Sequence, residues 1–239
     1  MKTLTIIPSR LAASRLPGKP LLKIKGLSII SHVFRRAQEA NIGEVVVATE
    51  DQEIVDDVMK NGGRAILTSK VHKTGTDRIF EALQKIGIKD VELIMNLQGD
   101  EPSINIEDIV KLNNKMVETR SDMGTLACKI KDLKDLENEN IVKVITKKSI
   151  EEDQFCEAKT FLRTSINLEN IYHHIGIYCY SVRTLGRFVK LQQSKDEIEK
   201  RLEQLRALDN NIMIKVALAK SSPIGVDTEE DYIAIKKIM

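Results

Sequence analysis

The chain has 239 residues, with 37 basic against 35 acidic side chains and a formal net charge of +2, so it fits one large α/β domain or two small ones and lacks the basic excess that nucleic-acid binding needs. Its three cysteines, Cys128, Cys156 and Cys179, form no CxxC pair, which argues against a thiolate zinc site and fits a reducing cytoplasm. No apolar run approaches the length of a membrane-spanning helix, and the N-terminus enters a strand pattern without a charged-then-apolar leader, so a soluble cytoplasmic protein with no membrane partner is expected.

The first hundred residues alternate strand and helix patterns. Leu4 to Ile7 is a continuous apolar run and reads as a buried strand. It leads into a loop, Pro8 to Leu22, that carries Arg10, Arg15 and Lys19. Ligands of α/β sheets bind beyond the carboxyl ends of strands, and three cations there suit a polyanion such as a nucleoside triphosphate. On charge alone the loop reads equally as a solvated basic surface. The Pro17-Gly18-Lys19-Pro20 turn favours the first reading, because two prolines restrict the backbone that carries Lys19. Ile29 to Ala40 follows as a helix, Val45 to Ala48 as a strand, Asp51 to Lys60 as a helix and Ala65 to Leu67 as a short strand. Asp77 to Ile86 is helical and Leu93 to Leu97 is another buried strand. This order implies a mostly parallel sheet flanked by helices.

The second half is less regular. Ile106 to Glu118 reads as a helix, and Thr125 to Ile130, Ile141 to Thr146, His174 to Tyr180 and Ile212 to Leu218 read as strands. The stretch from Thr146 to Asn170 is polar and carries no clear period. Ile198, Leu202, Leu205 and Leu208 mark a helix, and Asp231 to Ile238 closes with another. No repeat or flexible linker interrupts the chain, so a single domain over 1–239 with an elaborated second half is the simplest account.

Four clusters carry chemistry. In Thr68 to Arg78, Thr76 could cap a helix whose backbone donors face a ligand, and Gly75 lets the backbone come close. Arg78 sits in the first helical turn, where the dipole disfavours a cation, and that misfit points to a role. An ordinary capped helix start explains the segment equally well. In Asn96 to Pro102 an apolar strand runs into an acidic turn, and Asp100 suits magnesium, which takes few carboxylates and completes its shell with phosphate and water. A simple turn is the competing reading. In Gly225 to Asp231, Thr228 and Asp231 fit a capping box, which leaves Asp227 for a second metal contact. Arg163, His173, His174 and the Leu202 to Arg206 run are scattered, and spacing alone gives them little weight.

Together these segments are specific. PSRLAASRLPGKPL at 8–21, VVVATED at 45–51, HKTGTDRI at 72–79, NLQGDEP at 96–102, HHIGIYCYS at 173–181, LEQLRAL at 202–208 and PIGVDTEEDY at 223–232 resemble the 3-deoxy-manno-octulosonate cytidylyltransferase family nearly end to end. The resemblance implies an α/β, Rossmann-like nucleotidyltransferase fold and a homodimer, with dimerisation and sugar binding in the second half. It implies the reaction of CTP with the sugar acid KDO to give CMP-KDO and pyrophosphate, with Mg2+, in the cytoplasm and for lipopolysaccharide synthesis. By this likeness Arg10, Arg15 and Lys19 hold the triphosphate and, with Asp100, form the catalytic set. Ser69, His72, Gly75, Thr76, Arg78 and Gln98 help bind CTP. Asp100 and Asp227 ligate magnesium, and Arg163, His174 and Gln204 contact the sugar acid. Ser9 replaces a usual Ala, His173 stands where Arg is frequent, and Leu191 to Asp196 lacks the usual prolines. A cytidylyltransferase for 8-amino-8-deoxy-KDO or sialic acid is the near alternative. A glycosyltransferase and a non-catalytic nucleotide-binding module are the distant ones.

Overall fold

The structure, a computed structural model, describes residues 1–12, 15–151, 154–166 and 169–239. Ala13 and Ser14 of the first loop, and Glu152, Asp153, Asn167 and Leu168 of the 146–170 stretch, lie outside the described residues. The chain forms two compact units, Met1–Val110 with Pro223–Met239, and Lys111–Ser222.

In the first unit β1 (Lys2–Ser9) is followed by the loop, a 3-10 turn at Lys19–Leu21, and a small hairpin of β2 (Lys23–Ile24) and β3 (Leu27–Ser28). Then come α1 (Ile29–Glu39), β4 (Gly43–Thr49), α2 (Gln52–Lys60), β5 (Ala65–Leu67), α3 (Gly75–Ile86) and β6 (Val91–Asn96). Strands β5, β4, β1 and β6 pair in that order, all parallel. Leu4, Ile6 and Ile7 are buried, as continuous apolar runs in a parallel sheet covered on both faces should be. Ser28 caps α1 by accepting from the Ser31 N–H at 3.2 Å, and Asp57 of α2 accepts from both serine hydroxyls.

The boundary between the units falls within α4 (Ile106–Thr119). The second unit then holds β7 (Met123–Cys128), β8 (Lys143–Thr146), β9 (Phe155–Leu162), β10 (Ile171–Ser181), α5 (Val182–Phe188), α6 (Lys195–Lys200), α7 (Leu205–Asp209) and β11 (Ile214–Leu218). Its pairing is mixed. β11 runs parallel to β7, while β10 with β7, β10 with β8, β8 with β9 and β9 with β11 are antiparallel. The parallel order expected from the sequence therefore belongs to the first unit. The connection from β8 to β9 is too short for the crossover that parallel strands require.

The polar 146–170 stretch, which carried no clear period, contains β9. One expectation needs correction. The helix marked by Ile198 to Leu208 is two short helices, broken at Arg201, whose φ of 54° ends α6 in the left-handed region. After β11 the chain returns to the first unit with α8 (Glu229–Ile238). There Val226 and Ile235 join Ile24 and Ile29 in a fully buried cluster, with Leu16, Leu22, Tyr232 and Met239 packed around it. This small core anchors the N-terminal loop.

Candidate active site

Beyond the carboxyl ends of β1 and β6 lies a cavity of about 470 Å³, lined wholly by the first unit. The first loop supplies Arg10, Arg15 and Lys19, the segment before and within α3 supplies His72, Lys73, Thr74, Gly75 and Arg78, and the turn after β6 supplies Gln98, Gly99 and Asp100. Asp227, near the start of the chain's returning segment, completes it.

Local chemistry fixes each piece. Gly18 adopts φ 70°, a conformation that suits glycine, and starts the 3-10 turn that carries Lys19. Its N–H donates to the Leu11 carbonyl at 3.1 Å, and the Leu11 N–H donates to Asp51 Oδ2 at 2.7 Å, so the loop is folded back on itself. A Cβ at Gly99 would lie 2.9 Å from the Pro8 carbonyl oxygen, so only glycine lets this turn pack beside the end of β1. The Val226 N–H donates to the Asp100 carbonyl at 2.9 Å, which sets Asp227 beside Asp100. Thr228 and Asp231 form the expected capping box at the start of α8.

Lys19 is the centre of charge. Its Nζ donates to Asp100 Oδ2 at 2.5 Å and to Asp227 Oδ1 at 2.9 Å, and its side chain is only 14% exposed. Burial opposes the ammonium charge, but Asp100 and then Asp227 outweigh it and raise the pKa above the usual lysine value. Arg15 Nη2 donates to Asp227 Oδ2 at 2.8 Å from a more exposed position. Glu101, next to Asp100, is pushed up to about 8 by burial and then by the charges of Asp100 and Asp227, so it adds no third full charge at neutral pH. Arg10 is exposed on the cavity rim.

The segment before α3 is held from behind. Thr74, and not Thr76, caps the helix, accepting from the Asp77 N–H at 3.2 Å. Thr76 is buried in the first turn and, like Ser69, does not line the cavity. The reason is the extended backbone of Thr74, which the TGT run offers two residues earlier than the apolar pattern suggests. Arg78, 3% exposed, turns its guanidinium to Glu50, to Thr68 Oγ1 at 2.6 Å and to the Ser69 carbonyl at 3.2 Å. Its charge is thus balanced by Glu50, which explains a cation in a first helical turn.

Arg163, His174 and Gln204 belong to the second unit. Arg163 donates through Nε to the Lys200 carbonyl at 2.9 Å, through Nη1 to the Glu139 carbonyl at 2.9 Å and through Nη2 to the Arg201 carbonyl at 3.1 Å. His174 is 8% exposed, with Phe161 edge-on at 5.0 Å. Burial, and then the neighbouring His173, hold its pKa down at about 3, so the ring is neutral. Thr125 Oγ1 donates to the Ile177 carbonyl at 2.7 Å and lies 3.1 Å from His174 Nε2, so Nε2 carries the ring proton. Gln204 is largely buried at the start of α7.

A cytidylyltransferase family model matches residues 4–216. The 3-deoxy-manno-octulosonate cytidylyltransferase of Afipia carboxidovorans is 43% identical over 99% of this chain and 96% of its own. The chain belongs to this family. The corresponding enzyme of Thermodesulfovibrio yellowstonii is 41% identical over 100% of this chain and 98% of its own. A solved CMP:2-keto-3-deoxy-manno-octonic acid synthetase, complexed with CTP, superposes with a TM-score of 0.90 at 34% identity, covering 100% of this chain and 98% of that one. UDP-glucose pyrophosphorylase shares the fold alone, with a TM-score of 0.74 at 14% identity. The fold is the Rossmann-like α/β fold of nucleotidyltransferases, and the chain is a nucleotidyltransferase.

Sequence reasoning missed three acidic residues that shape this cavity: Asp51 under the first loop, Glu50 behind Arg78, and Glu81 behind His72. Glu81 lies three residues after Arg78, a helical spacing that puts both on one face and could have flagged the pair.

Proposed function

We propose that the chain transfers the cytidylyl group of CTP to the anomeric hydroxyl of KDO and releases pyrophosphate. The observation that carries this reading is the convergence of Asp100 and Asp227 on one cation, Lys19 Nζ, beneath a loop that adds Arg10 and Arg15.

Two carboxylates close enough to share an ammonium suit a magnesium ion, which completes its shell with phosphate and water. Among the described residues no group of three His, Cys, Asp or Glu side chains is placed to hold a metal ion, so phosphate oxygens would supply the remaining ligands. Held by Asp100 and Asp227, magnesium would neutralise charge at the reacting phosphate and would lower the pKa of the attacking hydroxyl. Lys19 exchanges its carboxylate contacts for triphosphate oxygens. With Arg10 and Arg15 it stabilises the charge that gathers on the leaving pyrophosphate. Phosphoryl-type transfer needs positioning and charge neutralisation more than covalent help, and the rigid turns at Gly18 and Gly99 supply the positioning. His72, Gly75, Arg78 and Gln98 complete the CTP contacts, with Ser69 and Thr76 supporting them from behind. Arg163, His174 and Gln204 contact the sugar acid, His174 as a neutral acceptor through Nδ1. A homodimer, a cytoplasmic location and a product used in lipopolysaccharide synthesis belong to the same reading and rest on family membership. No described helix is long and apolar enough to cross a membrane.

The test is pyrophosphate release with each nucleoside triphosphate, magnesium, and KDO, 8-amino-8-deoxy-KDO or sialic acid. Activity confined to CTP and KDO supports the reading, and no release with any acid sinks it. Asp100→Asn should lower turnover by about two orders of magnitude or more while the melting temperature holds, as expected for loss of an electrostatic group acting at the reacting centre.

A further inference from the structure

Glu81 of α3 has no place in the reaction as described, yet four donor contacts end on its carboxylate. The Ser69 N–H reaches Oε1 at 3.1 Å and Oε2 at 3.0 Å, Lys85 Nζ lies 2.6 Å from Oε1, and His72 Nε2 contacts Oε2. Burial works against its charge, but Lys85, His72 and the Ser69 N–H outweigh burial and hold the pKa at about 2. The carboxylate is therefore ionised at any physiological pH.

We propose that Glu81 is a positioning residue for the nucleotide, acting through His72. The inference rests on the reading of the cavity as the CTP site. Two facts separate this role from simple support of the helix. First, the backbone of Ser69 is already anchored by Arg78, which binds its carbonyl and the Thr68 hydroxyl. Second, His72 lines the cavity and makes no other side-chain hydrogen bond among the described residues, so Glu81 is what sets which ring nitrogen faces away from the cavity. A carboxylate can only accept, so Nε2 must carry a proton and Nδ1 is the ring nitrogen left for a ligand. An imidazole without that partner rotates about its side-chain bonds and presents either edge. The carboxylate behind it removes this freedom before the ligand arrives, as a carboxylate does behind a metal-binding histidine. Val71, beside it, is 82% exposed, so nothing apolar at that neighbour clamps the ring instead.

The experiment measures CTP affinity by calorimetry, with magnesium and without sugar acid, for the unaltered protein, Glu81→Gln, His72→Ala and the double variant. Glu81→Gln keeps an acceptor but removes the charge. It should weaken CTP about 10-fold, the scale of an outer partner's loss, and the double variant should bind no worse than His72→Ala alone. In steady state the KM for CTP should rise while kcat at saturation changes less than about 2-fold. Lys85→Met, which removes the other cation from Glu81, should leave CTP affinity in place. Additive losses in the double variant, or a lower melting temperature with unchanged KM, would overturn the inference alone. Failure of the unaltered protein to bind CTP would overturn the site reading together with it. Nitrogen-15 NMR of the unaltered protein checks the same point without a variant: a neutral His72 ring protonated at Nδ1 rather than Nε2 rules the inference out.

Discussion

A single ammonium, Lys19 Nζ, answers two carboxylates that come from distant parts of the chain. Replacing it with glutamine removes a charge-assisted donor to phosphate, worth roughly 1.5–3 kcal/mol for a hydrogen bond to a charged group. CTP should therefore bind about 10- to 100-fold more weakly in Lys19→Gln, read by calorimetry, and unchanged affinity would return the loop to a solvated surface. Glu81 makes a prediction on the acid side. Its pKa falls from 4.5 to about 2 on folding, so between those values the unfolded chain binds more protons than the native one. Stability then rises with pH across that window and is lost as pH falls through it. A Glu81→Gln variant should show a flatter melting temperature profile from pH 4.5 down to about 2 than the unaltered protein. At this scale the basic loop and the acidic turn were legible because charge beside an apolar strand is a local signal. The partners of Arg78 and Arg163 were not. Arg78 turns to Glu50 and to the Ser69 carbonyl, and Arg163 to three carbonyls more than twenty residues away, and no sequence pattern marks these groups.

Helices and strands show the same division. The starts of α1 and α8 follow from Ser28 and from Thr228 with Asp231, since a capping side chain and its backbone donor are three residues apart. The break between α6 and α7 does not, because neither the left-handed backbone of Arg201 nor the buried pair that ties the two helices leaves a periodic mark. Glu197 Oε2 accepts from Arg206 Nε at 2.8 Å, the Glu197 and Arg206 side chains are each 4% exposed, and Arg206 lies over the Phe188 ring at 4.7 Å. A continuous apolar pattern through Leu208 hides that two short elements are tied by a salt bridge rather than by one rod. Removing Glu197 leaves the buried Arg206 charge with the longer Glu203 contact at 3.8 Å, so the cost approaches the roughly 3–5 kcal/mol of a broken buried pair. Glu197→Gln should therefore lower the denaturation midpoint markedly, with m unchanged. A shift within error would show that Glu203 or water takes over the Arg206 charge.

For the molecule as a whole, the alternation of strand and helix up to Leu97 announced a parallel sheet, and the first unit has one. What the order of elements could not announce is that the first unit is discontinuous, closed by residues after Pro223. That closure depends on Val226 and Ile235 in a shared core and on one backbone hydrogen bond to Asp100, none of which has a periodic signature. A chain ending at Ser222 should lose CTP binding and also melt at lower temperature, whereas Asp227→Asn should lose activity with the fold retained. Equal melting temperatures for the shortened and full chains would show that the core around Ile24 needs no contribution from α8.

The discontinuity also bears on how the protein is made. Chains emerge from the ribosome N-terminal end first, so the cations of the first loop and Asp100 appear early. Asp227 follows only after all of Lys111–Ser222 has been synthesised. No nascent chain short of that point carries both carboxylates, so on the proposed reading activity should appear only in chains that extend past Asp227.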